Sequence, residues 1–295
     1  MGLNFNLINY LLSKKIFEPN SINSSKILEI GVLKNSITRK QKIYLADKYE
    51  LPESLLDKNA HEIFAYFGFK HVTSLDNNKF ENANFMKNLN NPPGDEDADN
   101  KDQFDLIIDG GTSEHVFNPI VAFANYMNYL KPNGNLIQAL PVNNNIDHGV
   151  YQFSPTFFWS IEIQNQGSLE LLDLHFKYHG TKVYSYFWDG QSELFRSHIH
   201  GLWNGSTMAN LFRYTNKDVI AIANWTKTNS INFNDLITNT HQKIYLEQWN
   251  GTVSLDTLSQ RALFRRILTH MHKYGAQFHV SMLSKFMLWM TKQND

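Results

Sequence analysis

The chain has 295 residues, 42% hydrophobic and 19% charged, enough for one large domain that needs no covalent staples. Its 27 basic and 28 acidic side chains leave a net charge of −1, so the basic surplus that nucleic-acid binding draws on is missing and no nucleic-acid partner is expected. There is no cysteine, which excludes disulfides, thiolate nucleophiles and cysteine-based zinc sites and fits a reducing, cytoplasmic setting.

The first residues, Met1 to Leu7, carry no basic segment followed by an apolar core, so no secretory leader is expected. No apolar run reaches the ~18–20 residues needed to span a bilayer, so no transmembrane segment is expected either. Ile8, Leu11, Leu12 and Ile16 fall at helical spacing, which predicts a helix in residues 1–20 ending near Pro19. After a polar connector, Lys26 to Gly31 is a short β-branched run closed by glycine, the pattern of a buried strand. Helices are expected over Thr38–Tyr49 and Asn59–Phe67, the second with Asn59 and Glu62 at capping-box spacing. His71–Asp76 reads as a second strand ending on an acid, and Ala83–Met86 as a third.

Pro92 to Lys101 is an acidic stretch expected to form a mobile loop. Phe104–Asp109 is the clearest strand, with Gly110 and Gly111 at its carboxyl end. A helix with one apolar face follows over Pro119–Leu130, stopped by the turn Lys131-Pro132-Asn133-Gly134, and Asn135–Leu140 is the next strand. Later strands are expected at Leu169–Phe176 and Val219–Asn224. Between them lies an aromatic insertion at about 178–214, with His179, His198, His200, Trp188 and Trp203. Two helices are expected between Leu255 and Met290, the first amphipathic and basic through Arg261, Arg265 and Arg266. Alternating strands and helices predict an α/β fold with a mostly parallel sheet and helices on both faces. The expected organisation is an N-terminal helical segment over 1–25, a Rossmann-like domain over 26–230 and a helical C-terminal extension over 231–295 that could mediate homo-oligomer contacts.

The string Phe104-Asp105-Leu106-Ile107-Ile108-Asp109-Gly110-Gly111, the following Glu114-His115-Val116, and the later Leu130-Lys131-Pro132-Asn133-Gly134 turn resemble, in order and spacing, class I S-adenosylmethionine-dependent methyltransferases. The element Asp147-His148-Gly149-Val150-Tyr151-Gln152-Phe153-Ser154-Pro155 is similar to one branch of that family, often found near surface-polysaccharide functions. The resemblance covers about residues 25–160 and implies a Rossmann-like methyltransferase sheet with S-adenosylmethionine as cofactor. One departure stands in the first motif, an acid followed by Gly-X-Gly-X-Gly in the family. Here it is Glu29-Ile30-Gly31-Val32-Leu33-Lys34-Asn35, with leucine and asparagine where two glycines are expected.

Ligands in open α/β sheets bind beyond the carboxyl ends of the strands. With that placement, the resemblance implies as cofactor-binding residues Glu29 and Gly31 at the first strand, Asp76 on the ribose hydroxyls, Asn88 on the adenine amino group, and Asp109, Gly110, Gly111 and Glu114 at the fourth. Expected catalytic residues are His148 as general base, His115 near the methionine end of the cofactor, and Tyr151 orienting the acceptor. Gln152 and Ser154 are expected on the substrate. Asp109, Glu114, His115 and His148 have ligand chemistry, but no metal-binding spacing is present and no metal is expected. The resulting expectation is a methyltransferase, acting on an oxygen of a small polar or sugar-like metabolite in carbohydrate biosynthesis. The alternative is a diverged Rossmann-fold partner or scaffold protein that has lost the cofactor, which Leu33 and Asn35 would favour.

Overall fold

The computed structural model describes residues 2–17, 25–165, 167–178, 218–231 and 233–239. These belong to one of two compact units of the chain, residues 1–187 with 217–240. The insertion expected at 178–214 beyond Tyr178, with His179, His198, His200, Trp188 and Trp203, lies outside the described residues. So does the extension after residue 239, with Arg261, Arg265 and Arg266.

Helix α1 (Phe5–Ser13) starts where the Asn4 side chain accepts a hydrogen bond from the Leu7 N–H at 3.0 Å. Strand β1 (Lys26–Ile30) follows the connector. Helix α2 (Arg39–Tyr49) begins after Thr38, whose N–H donates to Gln41 Oε1 at 2.9 Å, and ends at Glu50 in the left-handed region, φ +54°. Helix α3 (Ala60–Tyr66) has the anticipated reciprocal cap: Asn59 Oδ1 accepts from Glu62 N–H at 2.9 Å, and Glu62 Oε2 from Asn59 N–H at 3.2 Å. Strands β2 (His71–Asp76), β3 (Phe85–Met86) and β4 (Phe104–Asp109) come next. They are followed by α4 (Pro119–Tyr129), β5 (Leu130–Asn143) and α5 (Pro155–Gln164). Strands β6 (Leu169–Tyr178) and β7 (Val219–Lys227) and helix α6 (Phe233–Asn239) complete the described chain.

The seven strands form one sheet in the order β3-β2-β1-β4-β5-β7-β6. Pairings from β3 through β5 are parallel; β7 runs antiparallel to both β5 and β6. This is a mostly parallel, Rossmann-like α/β sheet. On one face α1, α2 and α3 bury Leu7, Leu11, Leu45 and Ile63 against Ile27, Leu106, Ile108, Ile137 and Ile222. On the other, Phe123 of α4 and Phe158 of α5 flank Trp225 of β7, at ring separations of 5.1 and 6.4 Å, and α6 packs beside α4 and α5. The N-terminal helix is thus part of the sheet domain's own core.

Two local features differ from the sequence reading. The Lys131–Gly134 turn is a bulge inside β5: Phe104 pairs with Leu130 and Leu106 with Asn135, so the intervening residues loop out opposite Asp105, with Asn133 at φ +61°. The acidic loop contains a 3-10 turn (Asp95–Asn100) anchored from inside. Asp97 is buried, paired with Lys87 Nζ at 2.6 Å, and accepts from the Tyr129 hydroxyl at 2.7 Å and the Gly94 N–H at 2.9 Å.

Candidate functional site

Strand register fixes the site. Ile30 of β1 pairs with Leu75 of β2 on one side and with Asp109 of β4 on the other. The next residue of each strand, or the residue closing it, is therefore level with its neighbours: Gly31, Asp76 and Gly110 meet at one edge of the sheet. There they border a cleft of about 400 Å³, within the ~300–1,000 Å³ common for small-molecule sites. Leu33, Lys34, Asn88, Leu89, Gly111 and His115 also line it.

Glycine is required at position 31. Its φ is +69°, and a Cβ there would stand 2.9 Å from Thr112 Oγ1, which donates to the Ile30 carbonyl at 2.8 Å. The two non-glycine positions of the first motif are accommodated differently. Leu33 is 6% exposed, belongs to the core cluster and sits against Gly110, where a Cβ would come within 2.6 Å of Leu33 Cδ2. Asn35 donates from Nδ2 to the carbonyls of Leu56 at 2.9 Å and Lys58 at 2.8 Å. The N-terminal strand segment clasps the same loop: Leu3 N–H donates to Lys34 O at 3.0 Å, and Ser36 N–H to Leu3 O at 3.2 Å. This contribution of Gly2 and Leu3 has no sequence signal, because it depends on a non-local bridge.

Of the anticipated cofactor residues, Gly31, Asp76, Asn88, Gly110 and Gly111 line the cleft. Asp76 Oδ1 accepts from the N–H groups of Asn77 at 2.5 Å and Asn78 at 3.4 Å. Asn88 Oδ1 accepts from Asn90 N–H at 3.0 Å and Asn90 Nδ2 at 3.2 Å. The fully buried acids Glu29 and Asp109 stand behind the wall. Glu29 Oε1 takes hydrogen bonds from Ser74 and His61 Nε2, the latter at 2.7 Å, while Oε2 receives the Leu33 N–H at 3.3 Å. Asp109 Oδ1 accepts from Thr112 N–H at 2.8 Å and Gly111 N–H at 3.2 Å, and Oδ2 from the Ser113 hydroxyl. Both carboxylates shape the loops that bear the cleft.

Glu114, His115 and His148 come together, and of the three only His115 lines the cleft. Glu114 Oε1 lies 3.8 Å from His115 Nε2 and 3.6 Å from His148 Nε2, and the two imidazole rings are 5.3 Å apart. Those separations are too long for hydrogen bonds, and neither Glu114 carboxyl oxygen has a hydrogen-bond partner. Burial, reinforced by the Asp109 carboxylate, pushes the Glu114 carboxyl up to about 8. Burial and the neighbouring His148 hold His115 below the ordinary histidine range. The loop after β5 is seated on Glu114 itself: Val150 and Tyr151 N–H groups donate to its carbonyl at 2.7 and 3.1 Å. A Cβ on Gly149 would meet Glu114 Cγ at 2.9 Å.

The remaining anticipated residues are engaged elsewhere. The Tyr151 hydroxyl donates to Phe117 O at 2.8 Å, Gln152 Oε1 accepts from Asn145 N–H at 3.0 Å, and Ser154 caps α5 by accepting from Thr156 N–H at 3.3 Å. None of the three lines the cleft. Lys87, which does, was not anticipated; nor was the ion pair between Lys34 and Glu81, two further lining residues.

No protein-family model matches the chain, and no curated protein matches it. Among solved structures, a putative methyltransferase from Bacillus halodurans is 11% identical, with 76% of this chain and 99% of that one covered and a TM-score of 0.42. An S-adenosylmethionine-dependent methyltransferase from Archaeoglobus fulgidus is 12% identical, covering 75% and 94%, with a TM-score of 0.36. The 1,6-didemethyltoxoflavin-N1-methyltransferase of Burkholderia thailandensis, solved with bound 1,6-didemethyltoxoflavin and S-adenosylhomocysteine, is 11% identical, covering 76% and 78%, with a TM-score of 0.38. Strand order and direction define this chain's fold independently of those distant likenesses. Among the described residues no helix is long and apolar enough to cross a membrane.

Proposed function

We propose that the protein is an S-adenosylmethionine-dependent methyltransferase that modifies an oxygen of a small polar or sugar-like metabolite. The observation that carries this reading is the convergence of Gly31, Asp76 and Gly110 on one cleft at the carboxyl ends of β1, β2 and β4. When bound, the cofactor supplies a methyl group made electrophilic by its sulfonium. Gly31 lets the backbone turn beside it. Asp76, steadied at Oδ1 by two backbone N–H groups, offers a carboxylate to the paired ribose hydroxyls. Asn88 has its carbonyl oxygen occupied by Asn90, so its NH2 is the group left to offer. That donor suits a ring nitrogen of adenine rather than the amino group anticipated from sequence.

On the acceptor side, His148 with His115 beside it takes the hydroxyl proton, both rings being half-exposed at the cleft's flank. Tyr151 acts at one remove, holding Phe117 and the loop that carries His148. The sugar-like acceptor class, a place in carbohydrate biosynthesis and a cytoplasmic location rest on the resemblance of residues 147–155 and on composition. The scaffold alternative requires a first loop that fills the cleft; about 400 Å³ stays open beside Leu33 although that side chain is seated on Gly110, and Asn35 bonds away from it.

A crystal structure with S-adenosylhomocysteine tests the reading. The ribose hydroxyls are expected on Asp76, with the chain of the ligand passing Gly31 and Gly110. A saturating soak that leaves the cleft without the ligand overturns it.

A further inference from the structure

We propose that Glu114, His115 and His148 form a binding site for one divalent first-row transition cation at the flank of the cleft. One ligand atom from each of the three lies within 4.8 Å of the other two. In a tetrahedral site with metal–ligand bonds of about 2.1 Å, ligand atoms stand ~3.4 Å apart. The 3.6 and 3.8 Å from Glu114 Oε1 to the two imidazole nitrogens exceed that by a few tenths of an ångström, and the ligand atoms of the two imidazoles lie within 4.8 Å of each other.

The second observation is Glu114 itself. Its side chain is 0% exposed, yet neither oxygen receives a hydrogen bond. A buried polar group without a partner costs free energy and calls for a physical reason. Nearby carboxylates such as Asp109 collect hydroxyl and N–H donors from their own turns, whereas Glu114 is left facing two imidazoles. The backbone enforces this: Val150 and Tyr151 dock on the Glu114 carbonyl, and Gly149 has no Cβ to hold the loop away, so His148 is delivered to Glu114. Two imidazole nitrogens and one carboxylate oxygen select zinc, iron, cobalt or manganese over magnesium or calcium. The half-exposed rings, at 46% and 40%, leave further coordination positions open.

The consequence for chemistry rests on the methyltransferase reading. With a cation in place, the two Nε2 atoms are ligands and no longer take a proton. An acceptor hydroxyl reaching the cation's open side is acidified by it and releases its proton to solvent.

The test is a calorimetric and visible-absorption titration of the chelator-treated full chain with Co2+, run in parallel with an S-adenosylhomocysteine titration. One equivalent of Co2+ is expected to bind and give the ligand-field bands of a nitrogen- and oxygen-ligated, low-coordinate ion. His148→Gln and Glu114→Gln are each expected to weaken binding at least ~100-fold. His148 is half-exposed, so its variant keeps the fold and the test stands even if Glu114→Gln does not. Binding that is absent, or unchanged by His148→Gln, overturns the proposal. Loss of Co2+ binding with S-adenosylhomocysteine still bound sinks the cation alone; the reverse sinks the methyltransferase reading alone.

Discussion

Leu33 lies directly on Gly110: a Cβ added to the glycine would stand 2.6 Å from Leu33 Cδ2. The glycine that follows β4 thus makes room for the leucine carried by the loop after β1. Gly110→Ala is expected to destabilise the protein by about 1–3 kcal/mol through overpacking. Adding Leu33→Ala should recover part of that loss, giving a favourable coupling in a urea-unfolding double-mutant cycle. Strictly additive losses would place the Leu33 side chain elsewhere.

Asp97 anchors the acidic turn from inside. Burial opposes its charge, but the Lys87 ammonium, the Tyr129 hydroxyl and the Gly94 N–H together hold its carboxyl below the usual range. A depressed carboxyl contributes stability above its unfolded pKa and loses it as pH falls through the folded one. Asp97→Asn should therefore cost stability at neutral pH, and the gap to wild type should close below about pH 4. Lys87→Met, which leaves the acid buried without its cation, is expected to cost about 3–5 kcal/mol at pH 7. Thermal unfolding across pH reads both.

Lys177 on β6 shows the opposite sign. Burial, with Lys48 and Lys14 nearby, pushes its ammonium down from 10.5 to about 8. Between those values the unfolded chain holds a proton that the folded chain lacks, so stability rises with pH across that window. Lys177→Met is expected to lose that rise, so that its stability relative to wild type falls as pH climbs from about 8 towards 10.5. A pH-independent difference would mean that Lys177 keeps its charge in the fold.

Much of this architecture can be read from residue order. Strands β1, β2 and β4 are short β-branched runs closed by glycine or an acid, and the Asn59–Glu62 cap announces α3. Helix α5 is not announced, because the apolar positions 157, 158, 159, 161 and 163 are spread round the helix rather than gathered on one face, and Ser154-Pro155 looks like loop. At the site, strand ends identify Gly31, Asp76 and Gly110, but the pleat decides which acids face the cleft. Asp76 lines it, while Glu29 and Asp109 turn inward to hold loops. The meeting of His115 with His148 escapes any spacing rule, since it is made by the β5 loop folding back on Glu114.

The central claim, a nucleoside-binding cleft whose ribose anchor is Asp76, is tested most directly by titrating S-adenosylhomocysteine into the wild-type protein and Asp76→Ala calorimetrically. The account predicts saturable, one-to-one binding in the micromolar range to wild type. The variant should bind at least ~tenfold more weakly, a loss of about 1.4 kcal/mol or more, with its unfolding midpoint unchanged because Asp76 is only half-buried. Absence of heat with wild type at millimolar ligand, or equal affinity in the two proteins, would contradict it.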